Sequence, residues 1–179
     1  MKTSLSRVAL LAFLTAAIGS EAAAAANPSP RIPSALDRLI GTWRGHSETF
    51  ASPLTRPGRS TAVNVCQWSP SHRFVTCDQT IEPGGRHDLA VYGLGAKSGT
   101  YFYCEVDATA QAYCVDRLVI KGSTWLYRST FEYKGQPLTL RTWNRFSSAD
   151  HYTFAAEISR DHGRHWQTMS RGAATRIHG

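Results

Sequence analysis

Hydrophobic and polar positions alternate with a period of two through most of this chain, beginning at Gly41-Thr42-Trp43-Arg44-Gly45-His46. The alternation sets Trp43, Gly45, Ser47 and Thr49 on one face of a first strand and Thr42, Arg44, His46 and Glu48 on the other, so Trp43 points into a core. Further stretches read as strands near 60–68, 73–82, 87–95, 100–107, 111–121, 124–133, 137–146, 151–160 and 165–176. Turn formers separate them: Pro70-Ser71, Pro83-Gly84-Gly85, Lys97-Ser98-Gly99, Ala108-Thr109, Gly122-Ser123, Lys134-Gly135-Gln136, Ser147-Ser148-Ala149-Asp150 and Asp161-His162-Gly163. About ten short strands joined by tight turns predict an all-β fold, an up-and-down antiparallel β-barrel, because closing the sheet on itself removes its exposed edges. No segment has the length and 3.6-residue period of a crossover helix. A short N-terminal helix is predicted over Ala35 to Ile40, capped by Ser34, with Asp37 in its first turn and Gly41 ending it. Leu36, Leu39 and Ile40 on one side of it supply a plug for one end of the barrel.

Two prolines and a glycine between Ala51 and Arg59 mark the longest connection, where a rigid scaffold tends to carry a binding loop. In 124–133 the aromatics Trp125, Tyr127, Phe131 and Tyr133 share one face, with Leu126 and Arg128 on the other. The next strand separates Leu138, Leu140 and Phe146 from Arg141, Trp143 and Arg145. The pattern leaves open which face is the lumen.

The two ends of the chain differ in character. Lys2 and Arg7, an apolar run from Val8 to Ile18, and an alanine tract ending Ala24-Ala25-Ala26 have the layout of a secretory signal peptide over residues 1–26. The apolar run is shorter than the ~20 residues a bilayer span needs, and nothing later is apolar enough to span a membrane. Residues 27–34, rich in proline, are expected to form a mobile leader, and 35–179 a single domain. An exported destination, periplasm or medium, follows from the same segment. Of 20 basic and 13 acidic residues, removal of Lys2, Arg7 and Glu21 leaves 18 against 12. The arginines are scattered singly without a run or helical stripe, which argues against a nucleic-acid partner.

Four cysteines in an exported chain favour disulfides over metal. Register selects among the three pairings. If Cys66 faces Cys77, then Trp68 faces Val75 and Ala62 faces Ile81 across a tight turn at Pro70-Ser71-His72-Arg73. Cys104 facing Cys114 leaves Ala108-Thr109-Ala110 as the loop.

The helix, Leu39-Ile40-Gly41-Thr42-Trp43-Arg44-Gly45, Lys134-Gly135-Gln136, Arg141-Thr142-Trp143-Asn144 and Ser159-Arg160-Asp161-His162-Gly163-Arg164-His165-Trp166 come in an order that resembles an uncharacterised family of exported bacterial lipocalin-like (calycin-type) domains. The resemblance spans roughly 35–177 and implies a barrel without an established activity. It also implies that Trp43 packs against an arginine near the chain end, with Arg171 and Arg176 both eligible. Ser159-x-Asp161-x-Gly163-x-x-Trp166 resembles the Asp-box hairpin of sialidases, a structural turn: the Asp carboxylate accepts turn N–H groups, Gly supplies a positive φ and Trp packs beneath.

Candidate chemistry is sparse. No Gly-x-Ser-x-Gly, His-Glu-x-x-His, Walker or dinucleotide motif occurs, and no motif calls for a cofactor or a metal. Asp161, His162 and His165 gather in one turn but read as exposed turn residues, and His46 near Glu48 reads as an outer-face pair. His151 and His165 are the histidines eligible as haem ligands. The functional constellation is aromatic and basic: Trp125, Tyr127, Phe131 and Trp143, with Tyr101, Tyr103 and Tyr133, interleaved with Arg128, Arg141 and Arg145. Such a set suits a cleft that stacks a small, partly apolar ligand while arginine holds an anionic head group. A barrel-mouth enzyme acting on a small or carbohydrate-like substrate, and an envelope structural module with a filled barrel, are the alternatives.

Overall fold

The computed structural model describes residues 34–177 except Ala96 and Ser98. The signal peptide and residues 27–33 of the leader lie outside the described residues. Ser34 caps a 3-10 helix at Ala35–Leu39: its hydroxyl accepts the Leu36 N–H, and the Asp37 carboxylate accepts the Ser34 N–H at 2.9 Å. The second Asp37 oxygen accepts the Trp68 indole N–H at 2.9 Å, which fastens the helix to the wall.

Eleven strands follow: β1 (Gly41–Thr49), β2 (Gly58–Trp68), β3 (Phe74–Glu82), β4 (Arg86–Leu94), β5 (Tyr101–Val106), β6 (Ala112–Cys114), β7 (Arg117–Lys121), β8 (Thr124–Tyr133), β9 (Gln136–Phe146), β10 (His151–Ser159) and β11 (Gln167–Ile177). Chain neighbours pair antiparallel except β6 and β7, β7 pairing instead with β5, and β1 pairs with β11, so the sheet closes. β6 and β7 are two parts of one wall position. Cys104 faces Cys114 while Tyr101 faces Leu118, a register change of one residue. The fold is a closed ten-strand barrel with one bulged strand where the pattern predicts 111–121 unbroken. Asp116, beside the break, accepts the Thr130 N–H at 2.7 Å instead of continuing the ladder.

A second bulge shifts β11 against β10 between Ala156 and Glu157. It turns Met169 into the interior with Leu138 and Ile158. The helix plugs one end of the barrel with Leu36 and Leu39, both buried. At the other end the 50–57 loop is tied across the mouth, its Pro53 carbonyl accepting from the Tyr133 hydroxyl and its Ala51 carbonyl from the Gln167 amide.

Both disulfides form between facing residues, Cys66–Cys77 and Cys104–Cys114, with Trp68 opposite Val75 and Ala62 opposite Ile81. Trp43 is 1 % exposed and donates its indole N–H to the Leu39 carbonyl at 2.7 Å. The arginine over its ring is Arg176, with Cζ 4.3 Å from the ring centroid. The Arg176 guanidinium also donates to Asp150 Oδ1 and to the Ala149, Arg38 and Ile40 carbonyls, joining helix, β1 and the β9–β10 turn. Gly41 makes room for it, since a Cβ there would meet the Arg176 Nη1 at 2.8 Å. Arg171 faces outward and pairs with Glu48 at 3.2 Å.

Candidate functional site

Register decides which face is the lumen. Trp43 points inward on β1, and its row continues through Asn64, Gln79 and Asp88 on β2, β3 and β4. The neighbouring inward rows carry Tyr92, Tyr103 and Glu105 from β4 and β5, Trp125 and Tyr127 from β8, and Asn144, Phe146, Tyr152 and Phe154 from β9 and β10. The end nearest the helix is solid. Trp43, Trp125, Phe146 and Tyr152 pack edge-on or tilted against one another at ring-centroid separations of 5.0 to 6.2 Å.

Between this plug and the mouth the lumen holds two small cavities. One, of about 140 Å³, begins at the Ser47–Ser60 hydroxyl pair and is lined by Asn64, Gln79, Asn144, Tyr152 and Phe154. The other, of about 80 Å³, shares Asn64, Gln79, Asn144 and Tyr152 and adds Trp43, Tyr92, Tyr103, Asp88 and Glu105. Buried polar groups cost free energy unless they are paired, so a barrel filled only for stability would carry aliphatic side chains here. These groups are partly paired among themselves. Gln79 donates to Asn64 at 2.6 Å, Asn144 to the Tyr127 hydroxyl at 3.1 Å, and the Tyr103 hydroxyl to Glu105. Asp88 is 3 % exposed; it accepts the Ala108 N–H and lies 2.9 Å from Arg86, which reaches in from the surface. Glu105 has no cationic partner among the described residues. No Lys, Arg or His lines the inner cavity.

Burial sets the state of the phenols. It pushes the Tyr152 hydroxyl up to about 12 and those of Tyr92, Tyr103 and Tyr127 well above the ordinary tyrosine range. At neutral pH they are uncharged donors and acceptors around two carboxyl groups.

The sequence-predicted constellation divides between the two faces of the wall. Trp125 and Tyr127 face inward and are buried, as part of the interior packing. Phe131 shares their face but sits near the mouth, 36 % exposed. Arg128, Arg141, Trp143 and Arg145 are on the outer face. Arg141 pairs with Glu157 at 2.6 Å and lies 3.9 Å from the Trp166 ring centroid, Arg128 lies 6.0 Å from the same ring, and Arg145 lies over Trp143 at 4.3 Å. Trp143 and Arg171 together wall an open outer groove of about 1030 Å³ whose floor is Thr153, Ala173 and Thr61. Its arginine charge is met by Glu48, which Arg171 and Arg59 both approach.

The Asp161 turn has the geometry its resemblance implies. Asp161 Oδ1 accepts the Ser159 hydroxyl and the Arg164 and His165 N–H groups, Gly163 has φ +90°, and Trp166 donates its indole N–H to the Gly163 carbonyl. These bonds, the His165 N–H first, hold the Asp161 carboxyl well below the usual carboxylate range. His165 Nδ1 is 2.5 Å from Asp161 Oδ2, and no group of three or more His, Cys, Asp or Glu is gathered among the described residues. His46 is exposed on the outer face, and His151 Nδ1 is 2.9 Å from the Ser147 hydroxyl. The inner polar row, Asn64, Gln79, Asp88, Glu105 and Asn144, is absent from the sequence-based candidates. Its only trace in the sequence is a polar residue at each inward position once the register is known.

No family model matches the chain, and no curated protein matches it. Solved structures do. The barrel superposes on Rv2717c from M. tuberculosis with a TM-score of 0.56 at 14% identity, covering 80% of this chain and 96% of that one. It superposes on the S-type phycobiliprotein lyase CPES from Guillardia theta with a TM-score of 0.52 at 9% identity, covering 80% and 91%. A protein of unknown function of the DUF3598 family from Nostoc punctiforme gives 0.49 at 12% identity, covering 82% of this chain and 51% of that one. The first two likenesses show the fold alone, a closed antiparallel ten-strand barrel.

Proposed function

We propose that the protein is a non-catalytic carrier or sensor that binds a small ligand non-covalently in the barrel interior. The observation that carries this reading is the inward row of Asn64, Gln79, Asp88, Glu105 and Asn144 beside four uncharged tyrosines, a convergence of polar groups in a concave site that packing alone does not call for. The phycobiliprotein lyase neighbour agrees with a ligand-handling barrel, as far as a shared fold goes. The chemistry of the lining selects the ligand. The arginines of the aromatic constellation lie outside. Of the two carboxyl groups lining the inner cavity, Asp88 meets the Arg86 guanidinium while Glu105 meets no cation among the described residues. The interior therefore suits a small polar molecule with an ammonium or several hydroxyl groups, and disfavours the anionic head group that the interleaved arginines suggest in sequence. The cavities are well below the ~300 Å³ at which drug-sized sites begin, so the ligand has few non-hydrogen atoms. Export to an oxidising compartment, supported by the two disulfides, is the setting we infer.

Native mass spectrometry of the purified protein tests the reading. The expected result is a small adduct that disappears in Ala62→Leu and Ala90→Leu variants, which fill the cavities from opposite ends. An adduct retained by both variants, or no adduct and no small polar molecule that raises the melting temperature, would overturn it.

A further inference from the structure

We propose that the helix-plugged end of the barrel docks peripherally on an anionic lipid bilayer. The first observation is apolar. Phe74, Leu94 and Phe102 are 37 %, 46 % and 41 % exposed at the same end of adjoining strands, and Phe74 and Phe102 both face Gly93 across the ladder. The Phe102 ring lies over Gly93, where an added Cβ would fall 1.9 Å from it. Arg73 adjoins Phe74, and Lys97 stands in the turn that follows Leu94.

The second observation is the distribution of charge along the barrel axis. Among the described residues, the helix-plugged half carries Arg38, Arg44, Arg73, Lys97, Lys121, Arg145 and Arg176 against Asp37, Asp78 and Asp150. Two of those carboxylates are engaged within the fold, Asp37 with the Ser34 N–H and the Trp68 indole and Asp150 with Arg176. Toward the mouth, Glu48, Glu82, Asp88, Glu105, Asp107, Asp116, Glu132, Glu157 and Asp161 nearly cancel Arg56, Arg59, Arg86, Arg117, Arg128, Lys134, Arg141, Arg160, Arg164 and Arg171. Protruding apolar side chains ringed by Lys and Arg fit the boundary between headgroups and acyl chains, with the cations at the level of lipid phosphates. Peripheral binding strengthens with buried apolar area and with electrostatic attraction to anionic lipid, and this end offers both. Docked this way, the mouth, where the two signs of charge nearly balance, faces away from the membrane.

Vesicle co-sedimentation of the full chain tests the proposal, comparing phosphatidylcholine vesicles with vesicles that also contain phosphatidylglycerol. Because every variant keeps the same N-terminal segment, differences between variants report the barrel. The proposal expects binding that depends on phosphatidylglycerol. It expects a loss of about fivefold or more in Arg73→Gln with Lys97→Gln and Lys121→Gln, and no comparable loss when Arg56→Gln, Arg59→Gln and Arg160→Gln remove the same charge at the other end. Phe74→Ser, with native circular dichroism as the fold control, should also weaken binding. Equal losses in the two triple variants, equal binding to both vesicle types, or no vesicle binding would each overturn the proposal.

Discussion

Removing Arg176 should destabilise the protein far more than removing Arg171, although both are β11 arginines near the chain end. The Arg176 side chain is 16 % exposed and supplies donors to Asp150, two turn or helix carbonyls and the Ile40 carbonyl while covering Trp43. Hydrogen bonds to a charged group contribute roughly 1.5–3 kcal/mol each, but they are not additive, and the cation over the indole adds about 1 kcal/mol. Deleting one member of a largely buried pair costs about 3–5 kcal/mol, because the acceptors left behind lose their donor without regaining water. Arg176→Ala is therefore expected to lose about 4 kcal/mol, which at roughly 2 kcal/mol per molar lowers the urea midpoint by about 2 M. Arg171 is 67 % exposed in its pair with Glu48, so solvent screening reduces Arg171→Ala to less than about 1 kcal/mol. Arg176→Lys should recover less than half of the loss, since one ammonium cannot reach acceptors on three segments. The assay is urea unfolding with both disulfides intact. A loss under about 1 kcal/mol for Arg176→Ala, or equal losses at the two positions, would refute the assignment of Arg176 as the clasp.

Gly172→Ala should destabilise by about 2 kcal/mol or more in the same assay, because its Cβ would fall 2.1 Å from the His46 carbonyl and 2.5 Å from the Phe154 ring; Gly58→Ala, with open space around it, should be near neutral. Mild reductant followed by thiol alkylation and mass mapping should open Cys104–Cys114 first, since Cys114 is exposed, and spare Cys66–Cys77, whose residues are 5 % exposed, until the barrel unfolds. The Tyr152 phenol has its folded value raised, so the protonated form is favoured in the native state and stability is present below the unfolded value of about 10 and lost as pH rises toward about 12. Ultraviolet titration should show Tyr92, Tyr103, Tyr127 and Tyr152 ionising together with alkaline unfolding, not before it. The Asp161 carboxyl has its folded value depressed, so its contribution is present above about pH 4 and lost as pH falls; Asp161→Asn should flatten the acid limb of stability against pH.

The fold was legible in the sequence where local rules and pairing agree. The period-two alternation at Trp43, the regular turn formers and the cysteine register lead to the same closed sheet, and facing Cys66 with Cys77 sets Trp68 against Val75 as found. Two bulges were not legible, because an extra residue at Val115–Asp116 or Met169 leaves the composition of a strand unchanged and shows only in the partner's register. The aromatic-arginine constellation was legible as a set but not as a place. Alternation puts Trp125 and Tyr127 opposite Arg128 through the thickness of the wall, and residues close in sequence then face different solvents. The inner row escaped notice for the converse reason: Asn64, Gln79, Asp88, Glu105 and Asn144 come from five strands and meet only when the barrel closes.

The acidic, hydroxyl-rich interior is tested most directly by thermal-shift titration of the wild type and of Glu105→Gln with two matched probe series, small organic ammonium compounds and small carboxylates of similar size. The account predicts a concentration-dependent rise in melting temperature for ammonium compounds with the wild type, strongly reduced in Glu105→Gln, and none for the carboxylates. A rise with carboxylates, or an ammonium response that Glu105→Gln leaves unchanged, would contradict it.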